Sequence, residues 1–224
     1  MSIGDNLRFT DDGPVLTGAQ GGAGVTLDET TAVTPAGFPI SATSASAIIV
    51  GSGATFGADG PASSNATTYG LTVVGTDATA LRTAIGDFPI TLVQTSASVI
   101  TGTYDGGKVA FTATINANGS LTVSQAVPLE HDVDGSTVAA YNDSLSLTGL
   151  INASITVCDF DGDTATVAAP IGDRIVFLDD GPSIAIARSD DSTISIQTDD
   201  ADTLGTASDS ASASFAGLFT LTSA

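Results

Sequence analysis

A twelve-residue segment occurs twice in this chain, and that duplication restricts its architecture more than any other feature. Residues 3–14 read IGDNLRFTDDGP and residues 171–182 read IGDRIVFLDDGP, identical at eight of twelve positions and 168 residues apart. A period of roughly 20–50 residues marks a solenoid, whereas one this long is the size of a whole domain repeated in tandem. The expected organisation is 1–12 as the end of a preceding repeat with its junction, 13–180 as one full repeat, and 181–224 as the truncated start of the next. Beyond the second copy the self-match weakens, and Asp28-Glu29 aligns with Asp199-Asp200 only through gaps.

Within the period the elements are short and strand-like. Ser98 to Tyr104 is apolar and β-branched, and Asp105-Gly106-Gly107 supplies a turn. Lys108 to Ile115 alternates, which puts Val109, Phe111, Ala113 and Ile115 on one face. Asn118-Gly119 closes a second turn, and Leu121 and Val123 continue the inward face, predicting a three-stranded antiparallel meander. Further strands are expected at Val25–Leu27, Ala47–Val50, Tyr69–Val74, Ile90–Val93, Ser144–Leu150, Ala153–Cys158, Thr164–Ala168 and Arg174–Leu178. Asp77 to Ile85 reads as the single short helix, with Asp77 as N-cap and Gly86 as stop. The fold class is all-β, an antiparallel β-sandwich of immunoglobulin-like or related type. With 42% hydrophobic residues but no Trp and only 5% aromatics, the core must be Val, Ile, Leu, Ala and a few Phe.

Charge narrows the partners. Five Lys and Arg face twenty-five Asp and Glu, a net charge of −20. Phosphate backbones and anionic bilayer surfaces would be repelled, so neither nucleic acid nor membrane is an expected partner. Dense carboxylates oppose compaction unless cations neutralise them, and hard divalent cations prefer oxygen ligands, which points to calcium. The one cysteine, Cys158, cannot form an internal disulfide and is expected to be a buried small hydrophobe. A metal is the usual substitute for a disulfide staple. No stretch is long and apolar enough to span a bilayer as a helix, and Met1-Ser2-Ile3-Gly4-Asp5 lacks the basic and apolar parts of a signal peptide. The chain is then expected to be cytosolic, a fragment, or exported by a route that reads no N-terminal signal.

Two acidic motifs carry the chemistry. Asp159-Phe160-Asp161-Gly162-Asp163 lies between two strand-like runs, where alternating carboxylates across a Gly turn can converge on one cation. It is not an EF-hand, because Gly stands fourth in place of sixth and Pro170 takes the position of the required Glu. The bland alternative is a solvated hairpin tip. The second motif, Phe-x-Asp-Asp-Gly-Pro, occupies 9–14 and 177–182. Its Phe should anchor a strand end, its Gly permits redirection, and its Pro cannot donate to a ladder, so it reads as a domain junction. The paired acids Asp11, Asp12, Asp179 and Asp180 would repel unless a cation sits among them; otherwise they form an exposed acidic linker. Asp5 and Asp173, in the Ile-Gly-Asp part of the duplication, are further candidate ligands.

Taken in order, the FxDDGP junction, the DxDGD turn, Phe56-Gly57-Ala58-Asp59-Gly60 and Leu129-Glu130-His131 resemble the long tandem repeat of giant RTX-type adhesins and related type I secretion substrates. The resemblance spans about 170 residues. It implies a β-rich extender of a cell-surface, biofilm-type adhesin, exported by a C-terminal signal and stiffened by extracellular calcium. On this chain the implied ligands are Asp159, Asp161, Asp163, Asp179, Asp180, Asp11 and Asp12. The RTX nonapeptide itself is absent: Gly21-Gly22-Ala23-Gly24 begins like it, but Thr26 stands where its Asp belongs.

His131, the sole histidine, lies in Glu130-His131-Asp132, and a structural hydrogen bond is the expected role ahead of metal ligation or catalysis. No GxSxG-type nucleophile signature accompanies it. The expected function is a non-catalytic, calcium-binding, monomeric spacer whose partners are calcium and adjacent repeats. A carbohydrate- or ligand-binding sandwich is the first alternative; it calls for an exposed aromatic row, and only Tyr69, Tyr104 and Tyr141 are tyrosines. A polysaccharide-active enzyme is the second, since paired carboxylates are plentiful.

Overall fold

The structure, a computed structural model, describes residues 8, 10–32, 37–133, 143–181, 185–188, 194–199, 205, 210–215 and 219–222. Asp5, Phe9, Tyr141 and Pro182 therefore lie outside the described residues. The chain divides into two compact units, Met1–Asp180 and Gly181–Ala224.

The first unit is an all-β sandwich. Its strands are β1 Gly18–Gly21, β2 Val25–Asp28, β3 Ile40–Thr43, β4 Ile49–Ser52, β5 Thr67–Val73, β6 Ala78–Arg82 and β7 Pro89–Ser96. They continue with β8 Val99–Tyr104, β9 Lys108–Ile115, β10 Leu121–Gln125, β11 Ser144–Ser146, β12 Ile151–Cys158, β13 Thr164–Pro170 and β14 Ile175–Leu178. An antiparallel six-stranded sheet runs β3-β10-β9-β8-β7-β6 and contains the expected meander, β8-β9-β10. A three-stranded sheet, β13-β12-β5, lies against it through β5, which contacts β7, β8 and β9. A further sheet, β11-β14-β2, joins β14 to β2 in parallel, and β1 pairs with β4.

The core follows from strand alternation. Ile100, Phe111, Ala113, Leu121 and Val123 from the large sheet are fully buried, as are Ile151 and Ala153 of β12. Ile175 and Phe177 of β14 join them, and the Phe111 and Phe177 rings lie 5.3 Å apart. Phe177 thus anchors the second junction motif, and a ring buried this way contributes about 1.5–3 kcal/mol.

Three expectations are corrected. Residues 78–82 form a strand and not a helix, because Thr79, Leu81 and Thr83 face inward at period two and β7 supplies the register. Val109 points outward, 44% exposed. Ala110 is an extra residue in β9, between the pairs Gly102–Phe111 and Thr103–Val109, and this bulge turns the strand end over. Cys158 is only half-buried, on the outer face of β12, where Sγ lies 3.6 Å from the Asp159 carbonyl oxygen.

In the second unit, β15 Ala185–Arg188 pairs antiparallel with β16 Phe219–Thr222. Among the described residues no helix is long and apolar enough to cross a membrane.

Candidate metal centre

The DxDGD motif lies at the tip between β12 and β13, and its fold is set by Asp159. This residue is fully buried, and its Oδ1 accepts hydrogen bonds from the Gly162 amide at 3.1 Å and the Asp163 amide at 2.7 Å. Gly162, at φ 109°, supplies a backbone conformation that other residues rarely adopt. The effect is to curl the loop so that Asp161 and Asp163 project from it, both in exposed positions.

Two other segments close on this loop. Residues 60–62 pair with it: Phe160 N donates to Gly60 O at 3.0 Å and Ala62 N to Cys158 O at 3.0 Å. The segment 11–13 lies alongside, where a Cβ added to Gly13 would stand 3.5 Å from Asp163 Oδ2. The result is five carboxylates from three segments. Asp11, Asp161 and Asp163 each present an oxygen within 4.8 Å of the others, and so do Asp59, Asp159 and Asp161. Asp161 belongs to both groups.

The electrostatics of this cluster are unfavourable without a cation. Asp161 is held above the ordinary carboxylate range first by its contact with Asp159, then by partial desolvation and the charges of Asp11, Asp159 and Asp59. Asp163 is raised chiefly by the charge of Asp11, then that of Asp159. Asp159 Oδ2 is buried and has no hydrogen-bond donor. Two ionised carboxylates facing each other are both acceptors, so the contact needs a shared proton or a cation. An all-oxygen donor set around an orphaned buried oxygen fits calcium, which takes six to eight oxygens at about 2.3–2.6 Å.

Of the sequence candidates, Asp11, Asp159, Asp161 and Asp163 are brought together here. Asp12 plays a different part, since its carboxylate accepts from Ala58 N at 2.9 and 3.2 Å and so pins the 56–60 loop. Asp59 was not among the candidate ligands, although a signal existed. Phe56-Gly57-Ala58-Asp59-Gly60-Pro61 is a third copy of Phe-x-x-Asp-Gly-Pro, with Ala58 where the other copies have their first Asp. Two copies of the motif therefore meet at this cluster, the first through Asp11 and Asp12, the third through Asp59 and the Ala58 amide.

Asp179 lies in another group, with His131 and Asp143, again within 4.8 Å of one another. His131 Nδ1 is 2.7 Å from Asp143 Oδ1, which is the expected structural hydrogen bond. Burial raises the Asp179 carboxyl, opposed by the charge of His131. Asp180 is exposed, and its amide donates to Asp179 Oδ1 at 2.8 Å. Asp173, exposed in the 3₁₀ turn Gly172–Arg174, joins none of these groups. Arg174 beside it turns inward and donates to Gly22 O at 2.6 Å, and Gly21 and Gly24 give it room, while Gly22 lies close against the Ala47 carbonyl.

Residues 24–172, about two-thirds of the chain, match a family model described as Domain of unknown function (DUF5801). The chain belongs to this family. The DUF5801 match takes in Asp59, His131, Asp143 and the whole DxDGD loop, and it stops short of both copies of the FxDDGP junction. No characterised protein and no solved structure gave a significant match. Among the described tyrosines of this DUF5801 chain, Tyr69 packs over Gly119 in one sheet and Tyr104 is half-buried beside Phe88 in another, so they form no row.

Proposed function

We propose that this chain is a non-catalytic, calcium-binding extender repeat of a large secreted bacterial surface adhesin. The observation that carries the reading is the meeting of two carboxylate groups at Asp161, one with Asp11 and Asp163 and one with Asp59 and Asp159, whose buried Oδ2 has no hydrogen-bond partner. The duplicated junction motif supports the tandem part of the reading, and the net charge of −20 supports dependence on cations.

The mechanism is physical. Without calcium the five carboxylates repel, and the segments 11–13 and 56–61 are held to the loop against that repulsion. With calcium, the ion ties the chain entering the repeat to the loop at the end of β12. Stabilisation follows mass action, about 2.7 kcal/mol at a hundredfold excess over the dissociation constant. Extracellular modules typically bind at about 0.1–1 mM, so a cytosol poor in calcium leaves the chain loose for export, and the outside of the cell stiffens it.

The test is thermal unfolding of residues 1–224 in calcium, in magnesium and in excess chelator. A rise in Tm specific to calcium and lost in Asp161→Asn supports the reading. An unchanged Tm across the three conditions sinks it, and a glycan screen then takes precedence.

A further inference from the structure

We infer that Phe160 of one repeat seats in an apolar pocket at the exit end of the repeat before it, so that consecutive copies lock head to tail. Within the tandem extender reading, on which this contact rests, it names the surface by which one copy meets the next. Among the described residues of the first unit two aromatic side chains are exposed, Phe160 at 68% and Phe88 at 36%. Phe160 stands in the DxDGD loop between Asp159 and Asp161, and that loop meets the entering segment at Asp11. Phe88 lines a cavity of about 240 Å3 together with Ile85, Tyr104, Lys108, Val127 and Pro128. A cavity of about 150 Å3 already holds a benzene ring, so a phenyl group fits.

The duplicated motif brings the two features to one joint. The pocket is built on two segments, 82–88 and 127–130, tied by Ala84 N to Pro128 O at 3.0 Å and Glu130 N to Arg82 O at 2.9 Å. The next residue, His131, belongs to the group that includes Asp179. Asp11 and Asp179 occupy the same position of the duplicated motif. In a tandem array, each Asp-Asp pair therefore has the pocket end of the repeat it leaves on one side and the Phe160 loop of the repeat it enters on the other. Pro128 is three residues from His131, about 10 Å of chain at most, and Phe160 adjoins Asp161. Charge favours the same match. Phe160 is set among Asp159, Asp161 and Asp163, whereas two of the five Lys and Arg in the chain stand at the pocket, Lys108 in its lining and Arg82 beside Thr83. Both are exposed, and their surface pairs with Asp105 and Asp87 are of the kind that contributes little. A projection at one end and a socket at the other make a heterologous contact, which builds an open line of copies and not a closed dimer.

The experiment uses the full chain with its 168-residue period repeated once, 1–180 followed by 13–224, melted in saturating calcium. Phe160→Ala in the second copy should lower Tm by at least about 2 °C, and so should Ile85→Ser in the first copy. The opposite placements, Phe160→Ala in the first copy and Ile85→Ser in the second, face no partner and should leave Tm unchanged. Both side chains are 68% exposed, so neither substitution removes core packing. Together, the two effective substitutions should cost no more than either alone, the mark of a direct contact. Equal effects from both placements, or fully additive effects in the pair, overturn the proposal. The calcium-specific rise in Tm of the single chain is measured without a second copy, so the two readings fail separately. That rise persisting while the placement effect is missing overturns the docking alone.

Discussion

The two copies of one motif in this chain end in chemically different places. In the first, Asp11 joins an exposed, oxygen-only cluster and Asp12 caps the Ala58 amide. In the second, Asp179 meets an imidazole and a half-buried carboxylate, and Asp180 stays in solvent. Identical residues, Asp-Asp-Gly-Pro, therefore acquire their roles from what the fold brings to them. The DxDGD loop and the third motif copy come to the first, and His131 and Asp143 come to the second. On the proposed extender reading, the two settings would tie the repeat at both ends.

The harshest way to break the comparison is to remove the anchor of the second copy. Phe177→Ala deletes a fully buried ring against Phe111 and should cost about 3–5 kcal/mol in urea unfolding. A loss below about 1 kcal/mol would mean that the second copy is not held by β14. Next comes Asp161→Asn, at the carboxylate shared by both oxygen groups. Calcium affinity measured by calorimetry should fall by about tenfold or more. In chelator the same variant should be no less stable than wild type, because a repulsive charge has gone. Asp173→Asn, outside every group, should change neither quantity.

What the sequence discloses, and what it hides, follows from the range of each signal. Alternation in Lys108–Ile115 and Ala153–Cys158 and the turns at Gly106-Gly107 and Asn118-Gly119 are local, and they placed the meander and β12 correctly. The parallel pairing of β2 with β14 is non-local and left no trace in either segment. In 78–82, good helix formers between a capping Asp and a Gly outweighed the Thr79-Leu81-Thr83 alternation, until a neighbouring strand decided the matter. The oxygen cluster was half legible: the DxDGD spacing marked three of its carboxylates and the duplication marked Asp11. Asp59 was hidden by Ala58, which breaks the acidic pair that identifies the other copies. The partners of Asp179 could not be read, because Asp143 lies 36 residues from it and His131 lies 48 away, with no shared pattern.

A gentler probe tests whether Asp12 serves the first cluster by positioning alone. Asp12→Ala removes both hydrogen bonds to Ala58 N without deleting a carboxylate from either oxygen group. Stability should fall by about 1 kcal/mol, the usual worth of such a bond. Hydrogen exchange at the Ala58 amide should accelerate, and calcium affinity should drop less than in Asp161→Asn. Equal losses of affinity in the two variants would make Asp12 a ligand and blur the contrast between the paired acids.

The smallest effect concerns a carboxylate that belongs to neither group. Glu29, 3% exposed at the end of β2, accepts hydrogen bonds from the Gln125 amide and, at 2.9 Å, from Leu129 N. Burial raises it above its ordinary value of 4.5, and the two hydrogen bonds only partly oppose that. Between 4.5 and its folded value, the folded chain holds a proton that the unfolded chain has lost. Its contribution is therefore fully present below 4.5 and is lost as the pH rises through the folded value. Glu29→Gln keeps an oxygen to accept both bonds and removes the titration. The urea midpoint of the variant, relative to wild type, should thus be higher at pH 7.5 than at pH 4.5, with chelator present throughout. A parallel pH profile for the two proteins would show that Glu29 carries no excess proton.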